Sequence, residues 1–474
     1  MKSWSNYVNG KWVNSNETIK VENPATREIF ATVPKGGSKE AEAAVDAAHA
    51  ALEGWSALTA YERAEYLEKW VSLIKENREK IGHLMTQEQG KPVKEAIGEV
   101  DYASSFIKWF AEEGKRVYGE TIPASAGNKR LFVIKQPVGV IAAITPWNFP
   151  AAMITRKVGP ALAAGCTAVV KPASATPLTA LKLAELAHEA GIPKGVLNVV
   201  TGSSKEISEA WMKDGRVKKL SFTGSTEVGK TLMKGSADTM KKISLELGGH
   251  APFIVMDDAN LEKAAEAMVA SKFRNSGQTC ICMNRAYIHE KVYDEFVGKF
   301  QSAVAKLKVG NGLDDGTTIG PLIDQDTMEK VQRHIDDAKE KGGKIIEGPQ
   351  MAPDSKGYFI EPVIISEAND DMLCMNEETF GPVAPLTKVS SAEEAIERAN
   401  NSPFGLAAYV FTENISKGVK IVEGLQYGIV GLNDGLPSTA QAPFGGMKES
   451  GLGREGGKQG IEEYLEVKYV SLGL

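Results

Sequence analysis

The stretch AVVKPASATPLTALKLAELAHEAGIPKGVLNVV, residues 168–200, decides the fold. It contains an apolar segment at 168–170, a helical pattern at 177–190 and a second apolar segment at 196–200. Strand, helix and strand in succession are typical of a parallel sheet whose strands are joined by helices. The stretch therefore predicts an α/β protein with a doubly wound sheet.

The alternation of strand and helix continues on both sides of this stretch, over residues 146–256. The flanking segments are a helix at 156–164 and strands at 219–222, 243–247 and 253–255. Later segments are helices at 261–272, 292–307 and 327–341 and a strand at 407–411. These later segments predict a second α/β domain. Helical periodicity also marks residues 39–52 and 61–81, so the N-terminal part is predicted to begin with helices.

Two regions rich in β-forming residues stand apart from this alternation. Residues 131–144 are apolar but are interrupted by Gln136-Pro137, and residues 464–472 alternate between apolar and polar side chains. A strand near a chain end can pair with another subunit or with the first of these regions. The C-terminal region is therefore a candidate for an interface.

Length and composition limit the possible functions. A chain of 474 residues is too long for a single core and predicts about two to four domains. The net charge of −6, without a basic cluster, argues against a nucleic acid partner. No apolar run approaches the roughly 18–20 residues of a membrane helix, so we expect a cytoplasmic protein without a membrane partner. The four cysteines are too few for a disulfide framework and are expected to be free thiols.

Three residues in separate segments have the chemistry of a nucleophilic enzyme. Cys280 ends the polar, glycine-containing segment FRNSGQTC (273–280), a setting in which a thiol can be exposed and its pKa lowered. Glu246, in LELGG (245–249), is a candidate general base. Asn148 stands between two prolines in PWNFP (146–150) and is a candidate donor to an oxyanion. Each residue alone has an ordinary structural explanation, and their joint occurrence favours catalysis.

The segment GSTEVGKT (224–231) matches the pattern of a P-loop and follows a predicted strand. An NTPase is therefore one alternative, although Glu227 would place a carboxylate among the phosphates. A helix N-terminus that binds a dinucleotide phosphate through backbone N–H groups explains the same residues. A protein that binds a dinucleotide without catalysis is a further alternative, against which Cys280, Glu246 and Asn148 argue.

Two other patterns carry no function in this interpretation. The letters GLGREG (451–456) fit a dinucleotide fingerprint, but no strand leads into them. Cys280 and Cys282 are too few ligands for a tetrahedral metal site, and no histidine is suitably spaced. We expect no metal.

The motifs together resemble the aldehyde dehydrogenase superfamily over nearly the whole chain. The resemblance is carried by PWNFP (146–150), FTGS (222–225), LELGG (245–249), GQTC (277–280) and ETFGP (378–382), in that order. ITRK (154–157), KPAS (171–174) and SKFRN (271–275) are most similar to the succinate-semialdehyde dehydrogenase branch.

The resemblance implies three parts in each subunit and a homodimer or homotetramer. These parts are a dinucleotide-binding domain at 1–125 and 145–247, a catalytic domain at 248–445, and a bridging, oligomerising β-segment at 126–144 and 458–474.

The resemblance also implies a mechanism. The Cys280 thiolate adds to an aldehyde, Asn148 and the Cys280 backbone N–H bind the oxyanion, and Glu246 activates the water that hydrolyses the thioester. The implied cofactor-binding residues are Trp147, Asn148, Lys171, Ser174, Gly224, Ser225, Leu247, Glu378 and Phe380.

Cofactor choice is predicted from charge at Ser174. Relatives that prefer NAD usually have a glutamate there, which binds the ribose hydroxyls and repels a 2′-phosphate. Lys171 and Ser174 instead both donate to a phosphate. We predict that NADP is preferred and that NAD is a possible second cofactor.

The substrate is predicted to be succinic semialdehyde, oxidised to succinate. Its carboxylate requires a cation in the pocket, for which Arg156 and Arg274 are the candidates. The resemblance adds Ser438. Glutarate semialdehyde and uncharged aliphatic aldehydes remain alternatives, because one or two methylenes change binding by only about 1–3 kcal/mol.

Cys282 suggests a redox hypothesis, because it lies two residues after Cys280. A strained, reversible disulfide between the two would switch the enzyme off under oxidation. A small buried neighbour is the structural alternative.

Overall fold

The computed structural model describes residues 2–351 and 356–474. The N-terminal elements, in chain order, are β1 (Lys2–Ser3), β2 (Asn6–Val8), β3 (Lys11–Val13), β4 (Thr18–Asn23), β5 (Glu28–Pro34), α1 (Ser38–Ala57), α2 (Ala60–Glu76), α3 (Arg78–Gln89), α4 (Val93–Glu113), β6 (Glu120–Ile122) and β7 (Lys129–Pro137).

The next elements alternate as the sequence predicts. They are β8 (Val140–Ile144), α5 (Ala152–Ala164), β9 (Thr167–Lys171), α6 (Leu178–Glu189), β10 (Leu197–Val199), α7 (Ser204–Lys213), β11 (Val217–Thr223), α8 (Thr226–Ser236) and β12 (Lys242–Glu246).

The remaining elements extend to the C-terminus. They are β13 (Ala251–Val255), α9 (Leu261–Phe273), β14 (Met283–His289), α10 (Tyr293–Val304), α11 (Gln325–Glu340), β15 (Lys344–Glu347), β16 (Val363–Ser366), α12 (Leu373–Asn376), β17 (Val383–Val389), α13 (Ala392–Asn400), β18 (Phe404–Gly405), β19 (Ala407–Phe411), α14 (Ile415–Gly424), β20 (Ile429–Leu432), β21 (Met447–Lys448), β22 (Gly451–Leu452), α15 (Gly457–Glu462) and β23 (Leu465–Gly473).

The first large sheet has the strand order β22-β12-β11-β8-β9-β10-β2-β3. Its five central strands are parallel, and the outer strands β22, β2 and β3 are antiparallel to their neighbours. In β8, Ile141 and Ala143 belong to one core, whereas Val140, Ala142 and Ile144 belong to another. Because successive side chains point to opposite faces, helices cover both faces of this sheet. The predicted doubly wound α/β fold is confirmed.

The second large sheet has the order β15-β16-β17-β14-β13-β19-β20, and its pairs are parallel except for β15 with β16. Phe253 and Val255 face one core and Ile254 faces another, so this sheet is also covered on both faces. Residues 251–432 thus form the second α/β unit that the sequence predicts.

A third sheet, β23-β7-β6, is antiparallel. Strand β23 pairs with β7 along its whole length, from Leu465 opposite Pro137 to Gly473 opposite Lys129. The predicted bridging segment 126–144 is too long, because Val140–Ile144 is β8 in the middle of the first sheet. Gly139, with φ at +124°, separates the partly exposed strand β7 from the buried strand β8.

None of the helices within residues 2–351 and 356–474 combines the length and the hydropathy needed to span a bilayer.

Candidate active site

Cys280 lies just beyond a strained turn that follows α9. The turn Arg274–Gly277 contains three residues with positive φ, namely Asn275 (51°), Ser276 (56°) and Gly277 (77°). A Cβ on Gly277 would stand 2.1 Å from the backbone oxygen of Gly381, so no other residue fits there. Cys280 is half-buried, whereas Cys166, Cys282 and Cys374 are buried. The turn therefore presents one of the four thiols to the site.

A cavity of about 250 Å³, the inner pocket, contains Cys280. Its lining brings together residues from all five sequence motifs: Pro146, Trp147, Asn148, Thr223, Gly224, Ser225, Leu247, Gly248, Cys280, Thr327, Lys330, Glu378 and Phe380. A larger cleft of about 690 Å³, the outer cleft, shares Pro146, Trp147, Thr223 and Gly224 with it. The two spaces therefore adjoin.

Asn148 lies between β8 and α5 and is bound on both its backbone and its side chain. Its backbone oxygen accepts hydrogen bonds from Lys91 Nζ (2.7 Å) and Asn275 Nδ2 (2.9 Å). Its side-chain Nδ2 donates to the backbone oxygen of Gln278 (3.1 Å). The Cys280 backbone N–H donates to no other described residue. Both predicted oxyanion donors thus belong to the loops that enclose Cys280.

Glu246 ends β12, next to Leu247 and Gly248 of the inner pocket. Its side chain is buried, and neither carboxylate oxygen has a partner among the described residues. The pKa of Glu246 is raised well above its usual value, mainly by burial and secondly by the charge of Glu455. Its Oε1 lies against Gly445, where an added Cβ would be 2.8 Å away. Glu246 is therefore close to Cys280 without lining the inner pocket.

The pKa of the Cys280 thiol departs from the sequence-based expectation. Burial raises it to about 12, and the opposing influence of Arg156 is smaller. The prediction of a lowered pKa is wrong for the free protein, because desolvation of the sulfur outweighs the nearby cation. The thiol is therefore protonated at neutral pH, and a base must remove its proton.

Glu378 and Phe380 line the inner pocket opposite Trp147. Glu378 Oε1 accepts a hydrogen bond from the Gly249 N–H (3.1 Å), and burial raises the pKa of Glu378 to about 7. Phe380 has a positive φ of 59°, and its ring meets Trp147 edge-on at 5.5 Å. Lys330 of α11, which the sequence analysis missed, donates to the backbone oxygen of Glu378 (2.5 Å).

The outer cleft is lined by hydroxyl and ammonium groups. Lys171, at the end of β9, donates to Ser204 Oγ (2.6 Å) and lies 3.5 Å from Ser174 Oγ. Burial lowers the pKa of Lys171 to about 8. Lys205 and Glu209 lie on the same cleft, as does the N-terminus of α8. Ser225 caps that helix, since its side chain accepts from the Val228 N–H.

The two arginines predicted to bind a carboxylate, Arg156 and Arg274, differ in whether a protein carboxylate already lies beside them. Arg156 is buried beneath the Phe444 ring (3.9 Å to its centroid), and its Nε lies 2.8 Å from Glu455 Oε2. Its Nη2 has no partner among the described residues. Arg274 lies 5.1 Å from the Phe149 ring centroid and forms no ion pair within the part of the chain that the structure describes.

Ser438 shares a hydrogen bond of 2.5 Å with the hydroxyl of Tyr102 in α4. The sequence analysis missed Tyr102 and Glu455, because both contacts join residues far apart in the chain. Glu455 lies within the motif GLGREG (451–456), whose pattern consists of glycines. The carboxylate of Glu455 pairs with Lys157 as well as with Arg156.

Cys282 is a free, buried thiol. Its Sγ donates to the Gly277 backbone oxygen (3.3 Å) and lies 3.7 Å from Lys272 Nζ.

Lys230 of the P-loop-like segment pairs with Glu449 (2.9 Å), and Thr226 already begins α8. Among residues 2–351 and 356–474, no three His, Cys, Asp or Glu side chains form a group that could hold a metal ion.

The chain is similar to known proteins over nearly its whole length. The profile of the Aldehyde dehydrogenase family matches residues 12–470. The chain is 56% identical to glutarate-semialdehyde dehydrogenase of Pseudomonas putida, over 98% of the chain and 97% of that protein. It is also 56% identical to succinate-semialdehyde dehydrogenase [NADP(+)] GabD of Escherichia coli, with the same coverage. The crystal structure of an E. coli NADP dependent enzyme superposes with a TM-score of 0.98 at 55% identity, covering 100% of this chain and 98% of that one.

Proposed function

This chain belongs to the aldehyde dehydrogenase family, and we propose that it oxidises succinic semialdehyde to succinate with NADP as the preferred cofactor. One observation carries the proposal. The half-buried Cys280 faces an inner pocket that adjoins an outer cleft lined by Lys171 and Ser174.

The residues of the outer cleft fit a dinucleotide with a 2′-phosphate. Lys171, Ser174 and Ser204 place an ammonium and two hydroxyl groups together, and these groups donate well to phosphate oxygens. Glu209 is the acidic residue of this lining. The capped N-terminus of α8 offers backbone N–H groups to a phosphate. Trp147, Leu247, Gly224, Glu378 and Phe380 would hold the remainder of the cofactor along the inner pocket.

NADP, when bound, supplies the two-electron acceptor for the oxidation. The protein residues perform the acyl chemistry. Cys280 must lose a proton, and Glu246 is the nearby base, since a carboxylate with a raised pKa is a stronger base than a free one. The resulting thiolate forms the carbon–sulfur bond to the aldehyde. Asn148 Nδ2 and the Cys280 N–H then donate to the oxyanion, once Asn148 gives up its bond to Gln278.

Hydrolysis of the thioester needs a second proton transfer. Glu246 first releases the proton of Cys280 to solvent and then takes a proton from water, which attacks the acyl carbon and releases the Cys280 thiolate and the acid. The carboxylate of Glu246 must turn from Gly445 toward the inner pocket for this step. Its two unpartnered oxygens leave it free to turn.

Arg274 supports a substrate with a distant carboxylate. It begins the turn that precedes Cys280 and lacks a protein ion pair among the described residues, so a substrate carboxylate can be its partner. The unpartnered Nη2 of Arg156 and the Ser438 hydroxyl are proposed to complete the site.

The test is NADPH formation from three aldehydes: succinic semialdehyde, glutarate semialdehyde and an uncharged aldehyde of similar length, each with NADP and with NAD. Highest kcat/KM for succinic semialdehyde with NADP is expected. A preference for glutarate semialdehyde, the substrate named in one relative, would make that aldehyde, which is one methylene longer, the assigned substrate. Equal kcat/KM for the uncharged aldehyde would contradict the role of Arg274.

We further propose that the chain forms a homodimer or homotetramer through the β23-β7-β6 sheet. Val467, Tyr469 and Leu472 on β23 are 68%, 57% and 48% exposed, which leaves apolar area for a second subunit. Light scattering of the parent and of a Val467→Lys/Tyr469→Lys variant checks this, and an unchanged mass would contradict it. A cytoplasmic location stays a prediction.

Cys282 remains proposed as a redox partner of Cys280. Peroxide inactivation that a thiol reverses in the parent, but not in a Cys282→Ser variant, is the expected result. Identical behaviour of both proteins would remove the hypothesis.

A further inference from the structure

Three charged residues at the start of α4 contact both loops that enclose the reactive cysteine. Lys91 lies just before the helix begins, and Glu95 and Glu99, four residues apart within it, lie on the same side of the helix. None of them belongs to the inner pocket or the outer cleft. Their contacts nevertheless lead to Asn148 and to the turn before Cys280.

Lys91 is buried among three partners. Its Nζ lies 2.5 Å from Glu99 Oε2, 2.7 Å from the Asn148 backbone oxygen and 3.9 Å from the Phe149 ring centroid. The side chains of Lys91 and Glu99 are each 1% exposed. A desolvated, hydrogen-bonded ammonium holds a carbonyl firmly, because no water competes for either group.

The second carboxylate oxygen of Glu99 binds the start of α5. Its Oε1 accepts from the backbone N–H groups of Ala151 (2.9 Å) and Ala152 (3.2 Å). The N-cap of α5 is Ala151, whose side chain cannot accept a hydrogen bond. Glu99 therefore replaces the missing cap and fixes the end of the loop that carries Asn148.

A ring of amides links this loop to the turn before Cys280. Asn275 Nδ2 donates to the backbone oxygens of Asn148 (2.9 Å) and Gln278 (3.2 Å), while Asn148 Nδ2 donates to the same Gln278 oxygen (3.1 Å). Glu95 Oε2 accepts from the Asn275 backbone N–H (2.8 Å). One helix start thus holds both sides of the ring.

We propose that Lys91, held by Glu99, is a positioning residue that fixes the Asn148 peptide and thereby aims the Asn148 side-chain amide at the oxyanion formed on a Cys280 adduct. The inference rests on the proposed acyl chemistry at Cys280. Lys91 itself touches neither substrate nor cofactor in this scheme.

A purely structural ion pair is the competing explanation. Buried ion pairs are weak evidence for stability, and replacing both partners by neutral residues of similar size is often tolerated. Such a pair would change thermal stability when replaced, but it would not change oxyanion stabilisation in a protein that remains folded.

The test compares two reactions of Cys280 that differ in their need for an oxyanion site. Acylation by p-nitrophenyl acetate passes through a tetrahedral oxyanion and releases p-nitrophenolate, whereas alkylation by iodoacetamide is a direct displacement without one. The ratio of the two rate constants isolates oxyanion stabilisation from thiol access and thiol pKa. Neither reaction requires the cofactor or an aldehyde.

The main variant is Lys91→Met/Glu99→Gln, which removes both charges together. We expect its acylation-to-alkylation ratio to fall by about 10–100-fold, the scale of a small misplacement at a reacting centre. The matched control is Lys94→Met, an exposed lysine of the same helix, whose ratio should equal that of the parent. Circular dichroism confirms folding. An unchanged ratio in the folded double variant overturns the proposal.

Glu99→Gln alone keeps Lys91 and serves if the double variant does not fold. Its weaker hold on Lys91 should lower the ratio by a smaller factor, and an unchanged ratio here also overturns the proposal. Cys280→Ala separates this result from the proposed function. Undiminished p-nitrophenolate release in that variant would show that the nucleophile itself is misassigned.

Discussion

The inner pocket and the outer cleft adjoin, yet the side chains proposed for catalysis and those proposed for phosphate binding are held in opposite ways. In and beside the inner pocket, both oxygens of Glu246 and Oδ1 of Asn148 are buried without partners among the described residues. In the outer cleft, Lys171, Ser174 and Ser204 satisfy one another. Unpartnered polar groups are costly in the free protein and gain most when reacting atoms arrive. We therefore expect substitutions to act more severely in the inner pocket.

The largest effect is expected for Cys280→Ala. Loss of the nucleophile should lower kcat by about 10⁴-fold or more. Cys166→Ala, which changes a buried thiol outside the pocket lining, is the control and should retain activity. Steady-state NADPH formation measures both, and substantial turnover by Cys280→Ala would contradict the mechanism.

Glu246→Gln should slow both proton transfers assigned to Glu246. Without the base, deprotonation of Cys280 and hydrolysis of the thioester should each slow by about 10²–10⁴-fold. A rapid-mixing experiment should then show at most one NADPH per site followed by very slow turnover. Parent-like steady turnover would mean that another group activates the water.

Arg274→Ala tests the residue that is proposed to select the substrate. KM for succinic semialdehyde should rise by about 10–100-fold, because a buried carboxylate loses its cation. KM for an uncharged aldehyde should stay within about twofold of the parent value. Arg78→Ala, which removes an exposed arginine, should change neither value. Equal rises for both aldehydes would contradict carboxylate recognition.

Ser174→Glu should show how strongly one residue of the outer cleft determines the choice between NADP and NAD. A carboxylate there repels a 2′-phosphate and accepts from ribose hydroxyls, so the ratio of kcat/KM for NADP to that for NAD should fall by about 10–100-fold. kcat itself should change little. Ser302→Glu, at an exposed position on α10, is the control. An unchanged ratio would remove Ser174 from cofactor choice.

The smallest effect is expected from pH. The pKa of Lys171 is lowered to about 8 by burial, so its charge is present below that pH and is lost as the pH rises through it. KM for NADP should therefore rise severalfold above about pH 8, whereas KM for NAD should not. Lys171→Arg keeps its charge and should abolish the rise. A parallel rise for both cofactors would contradict a phosphate contact.

The fold was largely predictable because it follows from local patterns. The apolar segments of 168–200 indicated β9, α6 and β10, and the same alternation indicated the second sheet. The bridging segment 126–144 was drawn too long, since an apolar run does not show which sheet it joins. Only the partly exposed side chains of β7 distinguish it from buried β8.

The site was predictable only where its residues lie in short motifs. Cys280, Asn148 and Glu378 meet at one pocket as the motifs suggest, although their roles stay proposals. The partners of Asn148, Glu378 and Ser438 escaped prediction, because Lys91, Lys330 and Tyr102 lie far from them in the chain. The direction in which the pKa of Cys280 shifts also depends on burial, which cannot be read from the order of residues in a motif.

Glu455 has a consequence for the order in which the protein folds during synthesis. It neutralises Arg156 and Lys157 of α5, and the neighbouring strand β22 completes the first sheet beside β12. A nascent chain that lacks these late residues holds two buried cations without their carboxylate. The second sheet is built wholly from residues 251–432. We expect ribosome-arrested chains that end before residue 455 to show protease resistance in 251–432 but not in 140–246. In that case the sheet that is translated first would be the last to be completed.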